Sequence, residues 1–272
     1  MKRIVVIGGG FVGQLVQHAI PSARLLDARK VTPSDHLDTR VGPQYLWEPI
    51  PGCKSVSFPV ETTVDGLPPT PESILAYKQK IGKENDGGDW GLQFQHHSTG
   101  WHSFLPTPTV EYNAKLTMTD LVGKSLGYGD WQSTEFDILV NTIPLPHFLS
   151  TCILGPTYRD PFQWDPIYMV TTEQFTHVEE AMMLNYRSGI DDPWYRDTID
   201  GTKLFRESLT QQPGTKAINP GKIHTNRDSE SVLAQLSVYD CFCFGRFATW
   251  RPDELAHETW KHIVEWKEAQ GL

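Results

Sequence analysis

The feature that most constrains this chain is the run Gly8-Gly9-Gly10, set between two apolar segments of different period. Ile4-Val5-Val6-Ile7 is β-branched throughout and reads as a short buried strand. After the glycines, Leu15, Val16, Ala19 and Ile20 recur at helical spacing until Pro21 stops the helix. Arg24-Leu25-Leu26-Asp27 then reads as a second strand. Strand, glycine turn, short helix and strand make a βαβ unit, whose parallel strands imply an α/β sheet.

The turn matches G-x-G-x-x-G at Gly8, Gly10 and Gly13, with Phe11 and Val12 between. Gly8 allows the tight turn, Gly10 lets a pyrophosphate approach the backbone, and Gly13 lets helix and strand pack closely. Alone the motif is weak; following a strand and opening a helix, it reads as a dinucleotide site. Asp27, at the end of the second strand, is placed to accept hydrogen bonds from an adenosine ribose. Arg29 and Lys30 could serve a 2′-phosphate, but Asp27 would repel that group, which disfavours NADP.

The formal charge of −9 argues against duplex nucleic acid, which calls for a basic face. Met1-Lys2-Arg3 before an apolar run imitates a signal peptide, but the glycines interrupt it. No apolar run suits a membrane span, so no membrane partner is expected. Cys53, Cys152, Cys241 and Cys243 are too few for a disulfide scaffold; buried thiols in a reducing cytoplasm are the expectation. The proline-rich stretch 31–73 reads as an extended excursion, 72–82 as a helix, and 116–126 as a source of strands. Residues 136–143 and 238–244 read as buried strands, and a last helix is expected from Pro252, with Asp253 and Glu254 at its positive end, to about residue 269. His96, His97 and His102 read as polar loop rather than metal ligands, and no metal is expected. Trp90, Trp101, Trp131 and Trp164 read as core or pocket lining, and Asp191-Asp192 and Glu179-Glu180 as solvated surface.

The glycine motif does not separate FAD from NAD, but a strand ending in Gly245-Arg246 before a last helix is the layout of FAD enzymes. The segment Gly245-Arg246-Phe247-Ala248-Thr249-Trp250-Arg251 resembles the G-R-L-G-T-Y-R segment of UDP-galactopyranose mutases, FAD enzymes related in fold to amine oxidases and protoporphyrinogen oxidases. Phe136 to Leu145 is similar to that family's strand ending in T-[IG]-P, and Asn185-Tyr186 with Trp194-Tyr195-Arg196 to its N-Y and P-Y-T-R segments. Arg40-Val41-Gly42 stands where the family has a glycine-rich loop beside the flavin. The chain is shorter than typical mutases, so the resemblance is to a truncated relative. Trp250 replaces a family tyrosine that serves the sugar nucleotide, and Pro252 a second.

The resemblance implies FAD as cofactor, with Gly8, Gly10, Phe11, Val12, Gly13 and Asp27 on its ADP half. It places Arg40, Gly42, Gly245 and Arg246 near the flavin, Glu254 on the ribityl chain or ring edge, and the Leu255 N–H on a flavin carbonyl. It makes Arg196 an anion-binding and catalytic arginine and Tyr195 a candidate general acid, with Asn185, Trp250 and Arg251 lining the substrate. The expected fold is α/β: a Rossmann-like FAD-binding domain from 1–58, 102–150 and 216–272, with a smaller α+β substrate region, 59–101 and 151–215, inserted. The expected function is oxidation of a small amine-type or anionic substrate by hydride transfer to flavin N5, with dioxygen or another acceptor reoxidising the flavin. Alternatives are a mutase-like isomerase using reduced FAD, an amine oxidase acting on a modified nucleotide, and a non-catalytic dinucleotide-binding protein.

Overall fold

The computed structural model describes residues 2–30, 45–82, 93–173 and 181–272. In chain order the first elements are β1 (Ile4–Ile7), α1 (Phe11–Ala19), β2 (Arg24–Leu26), β3 (Lys54–Val64), α2 (Pro71–Lys80), β4 (His97–Phe104) and β5 (Val110–Glu111). Then come β6 (Leu116–Asp120), β7 (Ser125–Tyr128), β8 (Gln132–Glu135), β9 (Ile138–Asn141), α3 (Leu145–Leu149), β10 (Trp164–Glu173) and β11 (Met182–Tyr186). The last are β12 (Trp194–Asp200), β13 (Lys203–Ser208), β14 (Lys216–Ile223), α4 (Ser229–Ser237), β15 (Cys241–Cys243), α5 (Arg246–Thr249) and α6 (Ala256–Ala269). The chain divides into two compact units: Met1–Thr39, Phe104–Gln163 and Ile223–Leu272 in one, Arg40–Ser103 and Trp164–Lys222 in the other.

The first unit is built on a five-stranded sheet in the order β15-β9-β1-β2-β5. Every pairing in it is parallel, with Val6 of β1 registered on Leu25 of β2 and on Val140 of β9. All four residues of β1 and of β9 are buried, because both faces of the sheet are covered. On one face Val5, Ile7, Leu26, Leu139 and Cys241 join a core with Phe148, Leu236 and Trp250. Near α1, the Lys267 ammonium of α6 donates to the Ala19 carbonyl at the end of α1 (2.7 Å). A three-stranded antiparallel meander, β6-β7-β8, leads into β9. Arg24 of β2 ties β5 to the meander: its guanidinium pairs with Glu111 and donates to Thr134 Oγ1 (2.7 Å) and Tyr128 Oη (2.5 Å).

The second unit carries a seven-stranded sheet in the order β14-β10-β13-β12-β11-β3-β4. β10 to β13, β13 to β12 and β12 to β11 pair antiparallel, while β11 pairs parallel with β3. α2 starts at a capping box, in which Thr70 and Ser73 bond each other's backbone N–H and Pro71 follows at the first turn. It delivers Tyr77 to a core that includes Val60, Val64, Phe94, Leu184 and Tyr186.

Several expectations need correcting: Trp131 is fully exposed rather than core or pocket lining, and His97 and His102 lie on β4 rather than in a loop. The stretch 31–73 contains an 11-residue strand, β3, which alternates Phe58, Val60, Thr62 and Val64 onto one face. Pro59 is tolerated because β3 pairs with β11 only from Val60 onward. The last helix does not begin at Pro252: α5 ends at Thr249, and α6 starts at Ala256 after a break. Among the described residues, no helix is long and apolar enough to cross a membrane.

The thiols give a direct check on this core. Burial pushes Cys152 and Cys243 up to about 12 and raises Cys241 well above its ordinary value. Since the thiolate is the reactive form, a disulfide reagent at about pH 8 should react first at Cys53 in the native protein, and with the other three only on unfolding. Absorbance from Ellman's reagent follows the reaction; equally fast release from all four in the native state would contradict the packing.

Candidate functional site

The glycine turn is shaped by close approaches that only glycine permits. Gly8 has φ +102°, and a Cβ there would fall 2.6 Å from Thr142 Oγ1. That hydroxyl lies 2.8 Å from the Ile7 carbonyl and 3.0 Å from the Gly8 carbonyl, fastening the end of β9 to the turn. A Cβ on Gly13 would overlap the Gly8 carbonyl oxygen, so α1 can sit on β1 only without one. Gly10 is the opposite case: it precedes α1 with φ −67°, and a Cβ there would meet nothing within 4 Å among the described residues. α1 has no side-chain cap and no acid in its first turn, so its leading N–H groups and positive end face that open space.

Asp27 closes one side of this turn. Its carboxylate is 6% exposed and lies directly against Gly9. Oδ1 accepts from the Arg29 backbone N–H (2.7 Å), and Oδ2 accepts from Arg29 Nη2 (2.6 Å). The same Nη2 donates to the Gly9 carbonyl (2.8 Å), and so does Gln14 Nε2 (3.1 Å). The structure thus brings Gly8, Gly10, Phe11, Val12, Gly13 and Asp27 together. It adds Thr142, which the sequence matched only as part of a family strand and which the pairing of β9 with β1 brings near Gly8, and it turns Arg29 onto Asp27 and the Gly9 carbonyl.

The C-terminal segment reaches the same turn at one point. Gly245 has φ +87°, and a Cβ there would press on Val12 Cγ2 at 2.8 Å, so this loop rests on the first turn of α1. Arg246 is exposed at the start of α5, its guanidinium 5.7 Å from the Phe247 ring. Beyond it the structure departs from expectation. Glu254 is buried, accepting from Thr249 Oγ1 (2.5 Å) and Thr259 Oγ1 (2.7 Å), so its carboxylate is turned into the α5 to α6 connection. The Leu255 N–H is taken by Glu258 Oε2 (2.7 Å), the cap of α6, and not offered to a flavin carbonyl. Trp250 is 1% exposed and left-handed (φ 57°), its Nε1 donating to the His224 carbonyl (2.9 Å) and its ring edge-on to Phe162. It is core, not a pocket wall. Arg251 forms an exposed pair with Glu230 (3.0 Å).

In the second unit Tyr195, Arg196 and Asn185 are spoken for. Arg196 Nη2 bonds Glu207 Oε1 (2.5 Å), and the Tyr195 hydroxyl donates to Glu207 Oε2. Two consecutive residues reach one carboxylate because the β12 to β13 register shifts between Trp194 and Arg196, which makes Tyr195 the extra residue of a bulge. Burial raises the Tyr195 phenol well above its ordinary value, and Glu207 raises it further, so it is a poor proton donor near neutrality. Arg196 is therefore not an open anion site and Tyr195 not a poised acid: both serve the core. Glu207 was not singled out from sequence, because an isolated Glu in a strand carries no motif. Asn185 Oδ1 accepts from the Gly66 N–H (2.9 Å) and Thr63 Oγ1 (3.0 Å), holding the turn after β3. Arg40 and Gly42 lie outside the described residues, as do Trp90 and Glu179-Glu180. Among the described residues, no group of three or more His, Cys, Asp or Glu could hold a metal ion.

No family model and no curated protein matches this sequence. Its fold is nevertheless shared with solved structures. Reduced UDP-galactopyranose mutase matches with a TM-score of 0.65 at 12% identity, over 100% of this chain and 96% of that one. A CLA-producing fatty acid isomerase from P. acnes matches at 0.54 and 13%, over 97% of this chain and 98% of the isomerase. L-proline dehydrogenase from P. horikoshii matches at 0.52 and 11%, over 99% and 94%. At these identities the likeness is one of fold: an α/β fold that enzymes also use.

Three substitutions test the geometry without any ligand. Gly13→Ala should destabilise the protein by about 2 kcal/mol or more, because backbone must yield, whereas Gly10→Ala should leave the melting temperature nearly unchanged. In the second unit Glu207→Ala strands Arg196 and should cost about 3 kcal/mol, read by urea denaturation. A neutral result there would show that Arg196 finds water instead.

Proposed function

We infer that this chain is a flavoenzyme that binds FAD with the ADP half on the turn Gly8 to Gly13, and that it acts as an oxidoreductase on a small substrate. The observation that carries the reading is the space over Gly10, clear of the described residues, at the uncapped start of α1. A pyrophosphate there would accept hydrogen bonds from the first N–H groups of α1, while the absent side chain lets it approach the backbone. Asp27 would accept from a ribose hydroxyl, with Arg29 holding the carboxylate against the turn. The fold shared with a mutase, an isomerase and a dehydrogenase supports FAD over NAD, together with the Gly245-Arg246 segment packed on Val12. When bound, FAD would supply a two-electron acceptor. Arg246 is the cation nearest in sequence to the Gly245 contact, and its role in this reading is to favour negative charge on the cofactor. Glu254 and Leu255 have no part in it, their polar groups being committed to α6.

A second reading, a redox-neutral isomerase working with reduced FAD, is favoured by one observation: a mutase and an isomerase are among the similar folds. The two differ in whether turnover consumes dioxygen or another electron acceptor.

The purified protein should be yellow and should release intact FAD on denaturation, identified by mass and absorbance. Gly10→Val should give colourless protein with an unchanged far-ultraviolet circular dichroism spectrum, because the valine fills space that belongs to the ligand and not to the fold. Full flavin occupancy in Gly10→Val, or copurification of NAD alone, would overturn the reading.

A further inference from the structure

The first unit has a second concave site, made by none of the residues that shape the glycine turn. β15 pairs with β9 on one side only. Beside it lies a groove of about 180 Å³. One wall is Leu233 and Ser237 of α4, the other His262 and Trp266 of α6, and β15 with Phe244 forms the floor. Thr249 and Arg251 complete it.

Three properties of this groove define what fits it. Its size is that of one ring with a small substituent, since a cavity of roughly 150 Å³ lined by apolar side chains holds a benzene. Its walls are aromatic and held in place: the Trp266 indole is 5.2 Å from both the Phe242 and Phe244 rings, tilted or edge-on to each. Its cationic group is a donor. Arg251 offers a planar fork, now spent on Glu230 at 3.0 and 3.1 Å. Both members of that pair are exposed, 42% and 68%, so a competing carboxylate can exchange with Glu230 at little loss. His262 is half-exposed, with Nδ1 3.6 Å from the buried Glu254 carboxylate.

We propose that this groove between α4, β15 and α6 binds a small monocyclic aromatic carboxylate, whose ring lies against Phe242, Phe244 and Trp266 and whose carboxylate takes the Arg251 fork from Glu230. This site would give Arg251 the anion-binding role that its sequence context suggests, away from the glycine turn.

The test is calorimetric titration of the full-length protein with benzoate, and with benzamide as the neutral isostere. Benzoate should bind saturably, and Arg251→Gln should weaken it roughly tenfold, the loss of one charge-assisted contact. Glu230→Gln should strengthen it by removing the competitor. Ser237→Phe, an exposed position on the groove wall, should abolish binding while the melting temperature holds. Trp266→Phe should weaken binding of both ligands. Flavin content, read by absorbance in every variant, keeps this site separate from the FAD reading: benzoate binding that persists in colourless Gly10→Val protein supports two sites. No saturable benzoate heat at millimolar concentration overturns the proposal. So does benzamide binding as tightly as benzoate, or benzoate binding that Ser237→Phe leaves intact.

Discussion

The first unit depends on one contact between backbone and backbone. α1 lies against β1 because Gly13 has no side chain to hold it off the Gly8 carbonyl, and Gly8 can take its left-handed turn because it too has none. From that contact the rest is placed. Thr142 bonds the carbonyls on either side of the turn and so sets where β9 ends. β9 carries β15 through the ladder that aligns Leu139 with Cys241, and the chain leaving β15 brings Gly245 onto Val12. Two glycine-dependent loops, far apart in sequence, therefore meet at the first turn of one nine-residue helix. A bulky residue at Gly8, Gly13 or Gly245 breaks the scaffold, while one at Gly10 takes space that the fold itself leaves open.

The second unit solves a different problem, the burial of charge in a sheet. Arg196 and Asp197 are neighbours on β12, so their side chains leave opposite faces of the sheet. Asp197 is balanced by Arg187 Nη2 (2.5 Å) and Arg206 Nε (3.0 Å). Arg196 is balanced by Glu207, which also receives the Tyr195 hydroxyl. Each buried carboxylate thus has two donors, the condition under which a buried ion is tolerated at all. The same economy explains why Tyr195 and Arg196 do not form an open substrate site: their polar atoms neutralise Glu207.

Legibility followed the range of the interactions. β1, α1 and β2 were readable because their signals are local: a β-branched run, glycines, a helical period and a proline stop. α2 was readable for the same reason, with Pro71 at its start and Gly82 beyond its end. β3 was not, because eight prolines between positions 33 and 71 mask the alternation of Phe58, Val60, Thr62 and Val64. The break before α6 was not, because Pro252, Asp253 and Glu254 suit a helix start locally. What moves the start to Ala256 is Glu254 turning inward to Thr249 and Thr259, with Glu258 capping Leu255.

The sequence by itself determined the βαβ opening, the glycines that must stay glycines, and Asp27 beside them, since each follows from backbone freedom and short-range pattern. Tertiary structure alone decided which polar side chains are available for chemistry. Trp250, Glu254, Tyr195 and Arg196 all read as site residues in one dimension. Each is consumed by a partner brought from elsewhere in the chain or seated by the local fold: His224, Thr249 with Thr259, and Glu207. A hydrogen bond uses up a donor or acceptor wherever its partner comes from, and no motif records which partners the fold will supply.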